Sequence, residues 1–445
     1  MENSKLLNKR QDEFVEEVNR SWKKKKISWM FNVISSGTTP KSSNEDYFNG
    51  EINWLNTGDL NDGYIISTSK TITEVAIEDY STLKVYPKDS LVMAMYGATI
   101  GKLGITKIST STNQACCVMA GPIDVFTKFI FYWFLGNRNE IINLSQGGGQ
   151  PNINQDIIRN LRFYVPHIEE QKKITFFLDQ KTSEIDSLIA DKEKLIELLE
   201  EKRQAIITEA VTKGLNPDVK MKDSGVEWIG AIPEHWVNSK LKHISTTEIS
   251  NIDKKIHRGE IPILLCNYTD VYYNDEITAD LDFMPATARV DQIERFSLKR
   301  NDVIITKDSE SPIDIAIPTR VKEDLEGVVC GYHLAHIKPN VTLYGQYLFY
   351  CLKSERLREQ YYSLANGVTR YGLSKGAIIN GVIPWPPVSE QHLISDFLYR
   401  KCGEIEKLIN SNLQQIQKLK EYRQSLIYEA VTGKIDVGDY NQELS

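Results

Sequence analysis

The chain has 445 residues, with 53 Lys and Arg against 60 Asp and Glu, a net charge of −7, and 41% hydrophobic and 25% charged side chains. These fractions exclude disordered, collagen-like and mucin-like chains, and the length predicts roughly two to four domains. The six cysteines form no C-x-x-C pair, which argues against a disulfide scaffold or a zinc site and fits a reducing compartment.

In chain order, the first domain is placed at 1–160, with a short N-terminal helix whose sequence lacks the apolar core of a signal peptide. The run Lys23–Lys26 suits a phosphate clamp as well as a solvated charge run. Turn signals follow at Gly37-Thr38-Thr39-Pro40 and at Asn61-Asp62-Gly63. SLVMAMYG (90–97) predicts a strand, KFIFYWFL (128–135) a helix, and QGGGQPN (146–152) a flexible turn. The longest apolar run, 129–135, falls far short of the roughly 18 residues of a membrane span, so a cytoplasmic protein is expected. Segment 161–227 holds a long helix and a turn-rich linker at 214–225. The second domain, 228–386, offers predicted strands at 301–308 (NDVIITKD) and 327–337 (GVVCGYHLAHI). A second long helix and a tail fill 387–445.

A repeat organises this order. One gapless offset of 220 aligns 170–212 with 390–432, and 20 of those 43 pairs are identical. Upstream the offset drifts: Trp22 aligns with Trp236, GEINWL (50–55) with GEIPIL (259–264), and Leu144 and Gly147 with Leu364 and Gly367. A shared framework with differing loops, and hence a duplicated half-molecule, follows. Pro166 and Pro387 precede the two long helices, and Gly214 and Gly433 stand where C-terminal caps belong.

Within each helix the apolar residues follow a 3-4 spacing, Ile185, Ile189, Ile196, Leu199 in the first and Ile405, Ile409, Ile416, Leu419 in the second. Both seams are interrupted at matching places, Lys192 with Asn412 and Arg203 with Arg423. Polar seam residues fix register, so the helices are expected to pair as an antiparallel coiled coil. The predicted fold class is mixed α/β (α+β) globular domains, duplicated, separated by the helix pair and related by a pseudo-two-fold axis. About 44 helical residues give a spacer near 66 Å, enough for two readers one DNA turn or more apart.

Chemistry of the chain's own is hard to find. Gly97-Ala-Thr-Ile-Gly101-Lys102-Leu103 is one residue short of a phosphate loop, and Leu103 replaces the magnesium-binding hydroxyl. The pair His333 and His336 lies in a predicted strand, where packing is commoner than metal binding, so no metal is expected. No N-P-P-Y-type tetrapeptide is present, which counts against a self-sufficient methylase. Residues 21–160 carry 13 basic and 12 acidic side chains and residues 228–386 carry 18 and 20, so neither domain has a strong field of its own. Two polar, aromatic-rich domains joined by paired helices suit a linear ligand read at two points.

The phrase SGVEWIGAIPEHW (224–236), the helix openings PHIEEQKKITFFLDQKTSEIDSLI and EQHLISDFLYRKCGEIEKLI, and the stretch from SGTTPK to INWLNTGDL (36–60) resemble the specificity subunits of type I restriction–modification systems. The resemblance covers essentially the whole chain. It implies two target-recognition domains, each reading one half of a bipartite DNA site, and a helical core that sets the spacing. It also implies two adenine methyltransferase subunits docked on that core and restriction subunits completing an ATP-dependent endonuclease. S-adenosylmethionine, ATP and Mg²⁺ would be bound by those partners, and this chain would be non-catalytic. A two-headed protein-binding scaffold, or the recognition part of a self-sufficient methylase, is the alternative.

Base edges are read by Arg, Lys, Asn and Gln, with phosphate contacts fixing position. The first domain offers Lys23, Lys41, Lys102, Asn113, Gln114, Gln150 and Asn152 as DNA-binding candidates. The second offers Lys307, Tyr332, His333, Arg370 and Tyr371, and the Arg370-Tyr371 loop aligns with Gln150-Pro151. Four matched pairs on the helices, expected to be exposed, are assigned to partner-subunit docking: Gln171 and Gln391, Glu184 and Glu404, Glu201 and Glu421, Glu209 and Glu429.

Overall fold

The computed structural model describes residues 21–144, 152–367 and 369–437. Gln150, most of the Gly-rich turn and the expected N-terminal helix lie outside the described residues. The described chain divides into two compact units, one of residues up to 192 together with those from 414 onward, the other of 193–413.

In the first unit the chain runs β1 (Lys23–Lys26), β2 (Phe31–Ser36), β3 (Phe48–Leu55), β4 (Gly63–Ile65), β5 (Thr71–Ile72), α1 (Glu74–Asp79), β6 (Leu91–Ala94), β7 (Leu103–Thr106), β8 (Ser111–Thr112), β9 (Cys116–Pro122), α2 (Thr127–Gly136), α3 (Arg138–Ile142), α4 (Gln155–Asn160) and β10 (Arg162–Val165). It then enters α5 (Ile168–Lys213). Strands β2-β9-β6-β7-β4 form a five-stranded sheet and β5-β3-β8 a three-stranded one, while β1 pairs with β10. Strand β6, LVMA, is buried throughout because it is central in its sheet. Helix α2 is buried on nearly every face, which its unbroken aromatic and aliphatic run demands.

The second unit repeats the plan with β11 (Met221–Asp223), β12 (Ala231–Pro233), β13 (Val237–Lys240), α6 (Leu241–Ile244), β14 (Ser245–Ile249), β15 (Ile261–Cys266), α7 (Tyr268–Tyr273), β16 (Glu276–Ile277), β17 (Met284–Ala288), α8 (Val290–Phe296), β18 (Val303–Thr306), β19 (Asp308–Ser309), β20 (Pro318–Val321), β21 (Val328–Cys330), β22 (Leu334–Pro339), α9 (Gly345–Lys353), α10 (Glu355–Tyr362), β23 (Tyr371–Gly372), α11 (Lys375–Ile379) and β24 (Val382–Trp385). Its five-stranded sheet is β14-β22-β18-β20-β16 and its three-stranded sheet β17-β15-β21. The stretch 327–337, expected as strand, is two strands in different sheets, because the chain turns at Gly331 to His333.

The final helix, α12 (Val388–Val431), completes both units. In the first unit Arg423 meets Asp186 at 2.9 Å, and Lys192 Nζ donates to Gln415 Oε1 at 2.6 Å. In the second, Arg203 meets Glu406 at 3.0 Å, and Leu199 packs with Ile405 and Ile409. Rising numbers on one helix meet falling numbers on the other, so the pairing is antiparallel in each unit. Gly214 and Gly433 follow the helices at φ 75° and 76°, the left-handed conformation of a C-terminal cap. A Cβ on Gly214 would sit 3.1 Å from the Trp236 ring, and one on Gly433 3.3 Å from Trp22. Those indoles donate in turn to the helix starts, Trp22 to Glu170 at 3.0 Å and Trp236 to Glu390 at 2.9 Å.

Candidate nucleic-acid interface

Three backbone segments of the second unit converge at Lys307. Its amide donates to the His333 carbonyl at 2.9 Å, and its own carbonyl accepts from the Leu373 amide at 2.9 Å. The next residue opens β19, paired with β23 in the register Asp308 to Gly372 and Ser309 to Tyr371. The Asp308 carboxylate takes a bond from Lys307 Nζ at 2.6 Å on one oxygen and lies 2.5 Å from His333 Nδ1 on the other. Burial pushes this carboxyl up, but the two bonds outweigh it and hold its pKa below the ordinary aspartate value. A Cβ on Gly372 would lie 2.7 Å from Asp308 Oδ1, so a larger residue there would press the carboxylate out of its place.

His333 has φ 68°, a left-handed conformation that a residue with a Cβ seldom adopts, and its ring lies 3.8 Å from that of Tyr332. Asn366 and Gly372 exchange backbone bonds of 3.1 and 2.9 Å, which closes the segment carrying exposed Arg370 back onto this junction. Tyr268, at the start of α7, faces the same junction. Burial raises its phenol pKa, and Ser309, Asp314, Arg370 and Asp308 are its polar neighbours.

The first unit builds the same junction from other side chains. The Met95 amide donates to Ala115 O at 2.8 Å, the Ile153 amide to Met95 O at 2.8 Å, and Tyr96 bridges Asn152. Asn56 with Asp59, and Asn267 with Asp270, make the same capping box in the two units. The Asn113 amide donates to Leu55 O at 3.1 Å, and the Gly331 amide to Cys266 O at 2.9 Å. By these bonds Met95 matches Lys307, Tyr96 matches Asp308, Gln114 matches Tyr332, and Asn152 matches Gly372. Gln114 is exposed and accepts from the Thr39 hydroxyl. Burial raises the Tyr96 phenol pKa, and Gln114 is its hydrogen-bonding neighbour.

Not every predicted residue joins these junctions. Asn113 braces its own turn, donating to Asn56 Oδ1 and accepting from the Ala115 amide, both at 3.1 Å. Lys23 and Lys41 are exposed, Lys23 on β1 and Lys41 beside Tyr80, whose hydroxyl accepts its backbone amide. Exposed Lys102 follows a turn whose amides at Ile100, Gly101 and Lys102 already bond to backbone carbonyls, so no phosphate cradle exists there. His336 is fully buried and bonds Asp302 at 2.8 Å, which makes it a core residue. No group of His, Cys, Asp and Glu able to hold a metal occurs among the described residues.

The structure corrects one docking pair. Gln171 and Gln391 are fully buried, not exposed. Gln171 accepts from the Phe126 amide at 2.7 Å and donates to Pro166 O at 2.9 Å. Gln391 accepts from the Tyr344 amide at 2.8 Å and donates to Pro386 O at 2.8 Å. Each ties its long helix to the start of the buried helix of its unit. Glu184, Glu201, Glu209, Glu404 and Glu421 are exposed and Glu429 is half-buried; Lys181 holds Glu184 at 2.8 Å and Lys401 holds Glu404 at 2.7 Å. Sequence reasoning missed Asp308, Tyr96 and Tyr268. Aligning β6 on β18 would have paired Tyr96 with Asp308, but the drifting offset concealed that match.

A family model described as the type I restriction modification DNA specificity domain matches residues 19–198 and 233–417. The MjaIX specificity subunit of Methanocaldococcus jannaschii is 27% identical over 433 residues, covering 94% of this chain and 94% of that protein. The EcoBI specificity subunit of Escherichia coli is 24% identical over 371 residues, covering 79% of this chain and 74% of the relative. Among solved structures, a chain from work on complex assembly and conformational transition of the type I R-M system matches with a TM-score of 0.73 at 14% identity, covering 94% of this chain and all of that one. The HsdS subunit of Thermoanaerobacter tengcongensis matches with a TM-score of 0.53 at 13% identity, covering 95% and 100%.

Proposed function

The chain belongs to the type I restriction modification DNA specificity family, and on that premise we propose that each unit reads one half of a bipartite duplex site. One observation carries the reading: the same backbone junction, bonded at Met95 in one unit and at Lys307 in the other, displays different side chains. A shared frame with exchanged side chains is what two half-sites of different sequence require. The long helices set the gap between the half-sites and carry the partner subunits. Two methyltransferase subunits dock there against the matched acids Glu184 with Glu404 and Glu201 with Glu421. S-adenosylmethionine, ATP and Mg²⁺ belong to those partners and to the restriction subunits, and this chain neither cuts nor methylates by itself.

The test is selection from a randomised duplex pool by the full chain assembled with its methyltransferase subunits. The expected product is two short fixed blocks separated by a gap of fixed length and free sequence. Enrichment of one uninterrupted block, or of no duplex at all, overturns the proposal.

A further inference from the structure

Resting on that reading, we infer that the second unit recognises a G·C pair in its half-site through the cations Lys307 and Arg370, with Asp308 as the residue that positions Lys307. The matched places in the first unit hold the uncharged Gln114 and Asn152.

The contrast lies in the matched junctions. Guanine presents two acceptors, N7 and O6, in the major groove, and Lys or Arg supplies donors only. At the central position the second unit has Lys307 where the first has Met95, so a cation replaces an apolar side chain on one backbone frame. Arg370 is exposed on the segment that Asn366 and Gly372 close onto the junction. In the first unit Gln114 and Asn152 are both exposed at their matched places.

Asp308 gives the cation a fixed position. A lysine has a long, freely rotating stem, and an unrestrained ammonium makes a poor reader of one base edge. The 2.6 Å bond to Asp308 Oδ1 uses one ammonium donor and leaves two for a base. The second carboxylate oxygen is held against His333 Nδ1, and the glycine at 372 leaves the room the carboxylate occupies. The Tyr332 and His333 rings lie beside it, 3.8 Å apart and tilted by 42° to one another. Tyr96, at the matched place in the first unit, carries no such charge.

The experiment repeats the duplex selection with the full complex bearing Lys307→Met, Lys307→Arg, Asp308→Asn or Arg370→Ala. For the wild type, one half-site should hold an invariant G·C pair. Lys307→Met, Asp308→Asn and Arg370→Ala should each cut discrimination for that pair roughly 10- to 100-fold. Lys307→Arg should retain it. Discrimination at the other half-site should not change in any variant, which also reports that each has folded. A purely structural role for Asp308 would weaken all duplexes alike and sink its positioning role. Selected sites that are bipartite but lack a fixed G·C pair, or keep it undiminished in all three disabling variants, overturn the inference and leave the functional reading standing. Loss of bipartite selection by the wild type would instead remove the reading on which the inference rests.

Discussion

Arg423 holds Asp186 across the helix pair of the first unit, with 2.9 Å between Nε and Oδ1. Its repeat-mate Arg203 holds Glu406 in the second unit at 3.0 Å, and Glu406 is in turn the repeat-mate of Asp186. Each pair therefore crosses from one long helix to the other, and the duplication has copied both partners. These pairs are half-exposed, so each contributes modestly, of order 0.5–1 kcal/mol. Arg423→Glu should lower the stability of the first unit by about 1 kcal/mol, and the charge swap Arg423→Glu with Asp186→Arg should restore most of it. A double-mutant cycle in urea measures this; additive losses in the doubly substituted chain would show that the pair does not couple.

Gln171→Ala should cost more, about 2–3 kcal/mol, because it leaves the Phe126 amide and Pro166 carbonyl without their bonds inside the unit. The loss should appear as a lower urea midpoint, while binding of methyltransferase subunits to the folded fraction stays unchanged. Glu201→Lys, by contrast, should weaken that binding with no shift in midpoint, since its side chain is exposed. Sedimentation of the mixed subunits separates the two effects.

The contrast between these glutamines and glutamates shows how far the sequence could be read. The repeat, the helix ends and the left-handed glycines beyond them were legible, because periodicity, Pro and Gly act locally. The role of an identical pair was not, since a brace needed in both halves and a surface docked in both halves leave the same trace. Gln171 and Gln391 are the brace. The break at His333 was hidden too: a β-branched run displays strand propensity, while the left-handed residue that ends it is imposed by the bonds of Lys307 and Asp308. The positions proposed to read bases lie where the repeat offset drifts, so the match of Met95 to Lys307 emerges only from the ladder bonds.

Acid should weaken the second unit through Glu276. Burial pushes this carboxyl up, yet bonds from Lys322 and Arg320 outweigh it and leave the pKa below the ordinary glutamate value. A depressed folded pKa contributes stability that is complete above the unfolded value, about 4.3, and is lost as pH falls through the folded one. Glu276→Gln should therefore flatten part of the decline in stability below pH ~4, by no more than about 1 kcal/mol given its partial exposure. Urea midpoints between pH ~3 and ~6 test this; identical slopes for the two proteins would exclude Glu276 as a contributor.

Gly433 and Gly214 give the most local test of how each unit is closed. The end of α12 returns to the first unit, where Gly433 packs on Trp22, and the end of α5 brings Gly214 onto Trp236 in the second. A Cβ is disfavoured at both, first by the positive φ and then by an indole that is itself anchored to Glu170 or Glu390. Gly433→Ala should thus destabilise the first unit by about 1–2 kcal/mol and disturb Trp22 alone, while Gly214→Ala should do the same to the second unit and Trp236. The chain has seven tryptophans, so each signal is taken as the difference in emission between a chain and its Trp22→Phe or Trp236→Phe counterpart; a shift in the difference signal of the wrong tryptophan would show that the helix ends do not close their units independently.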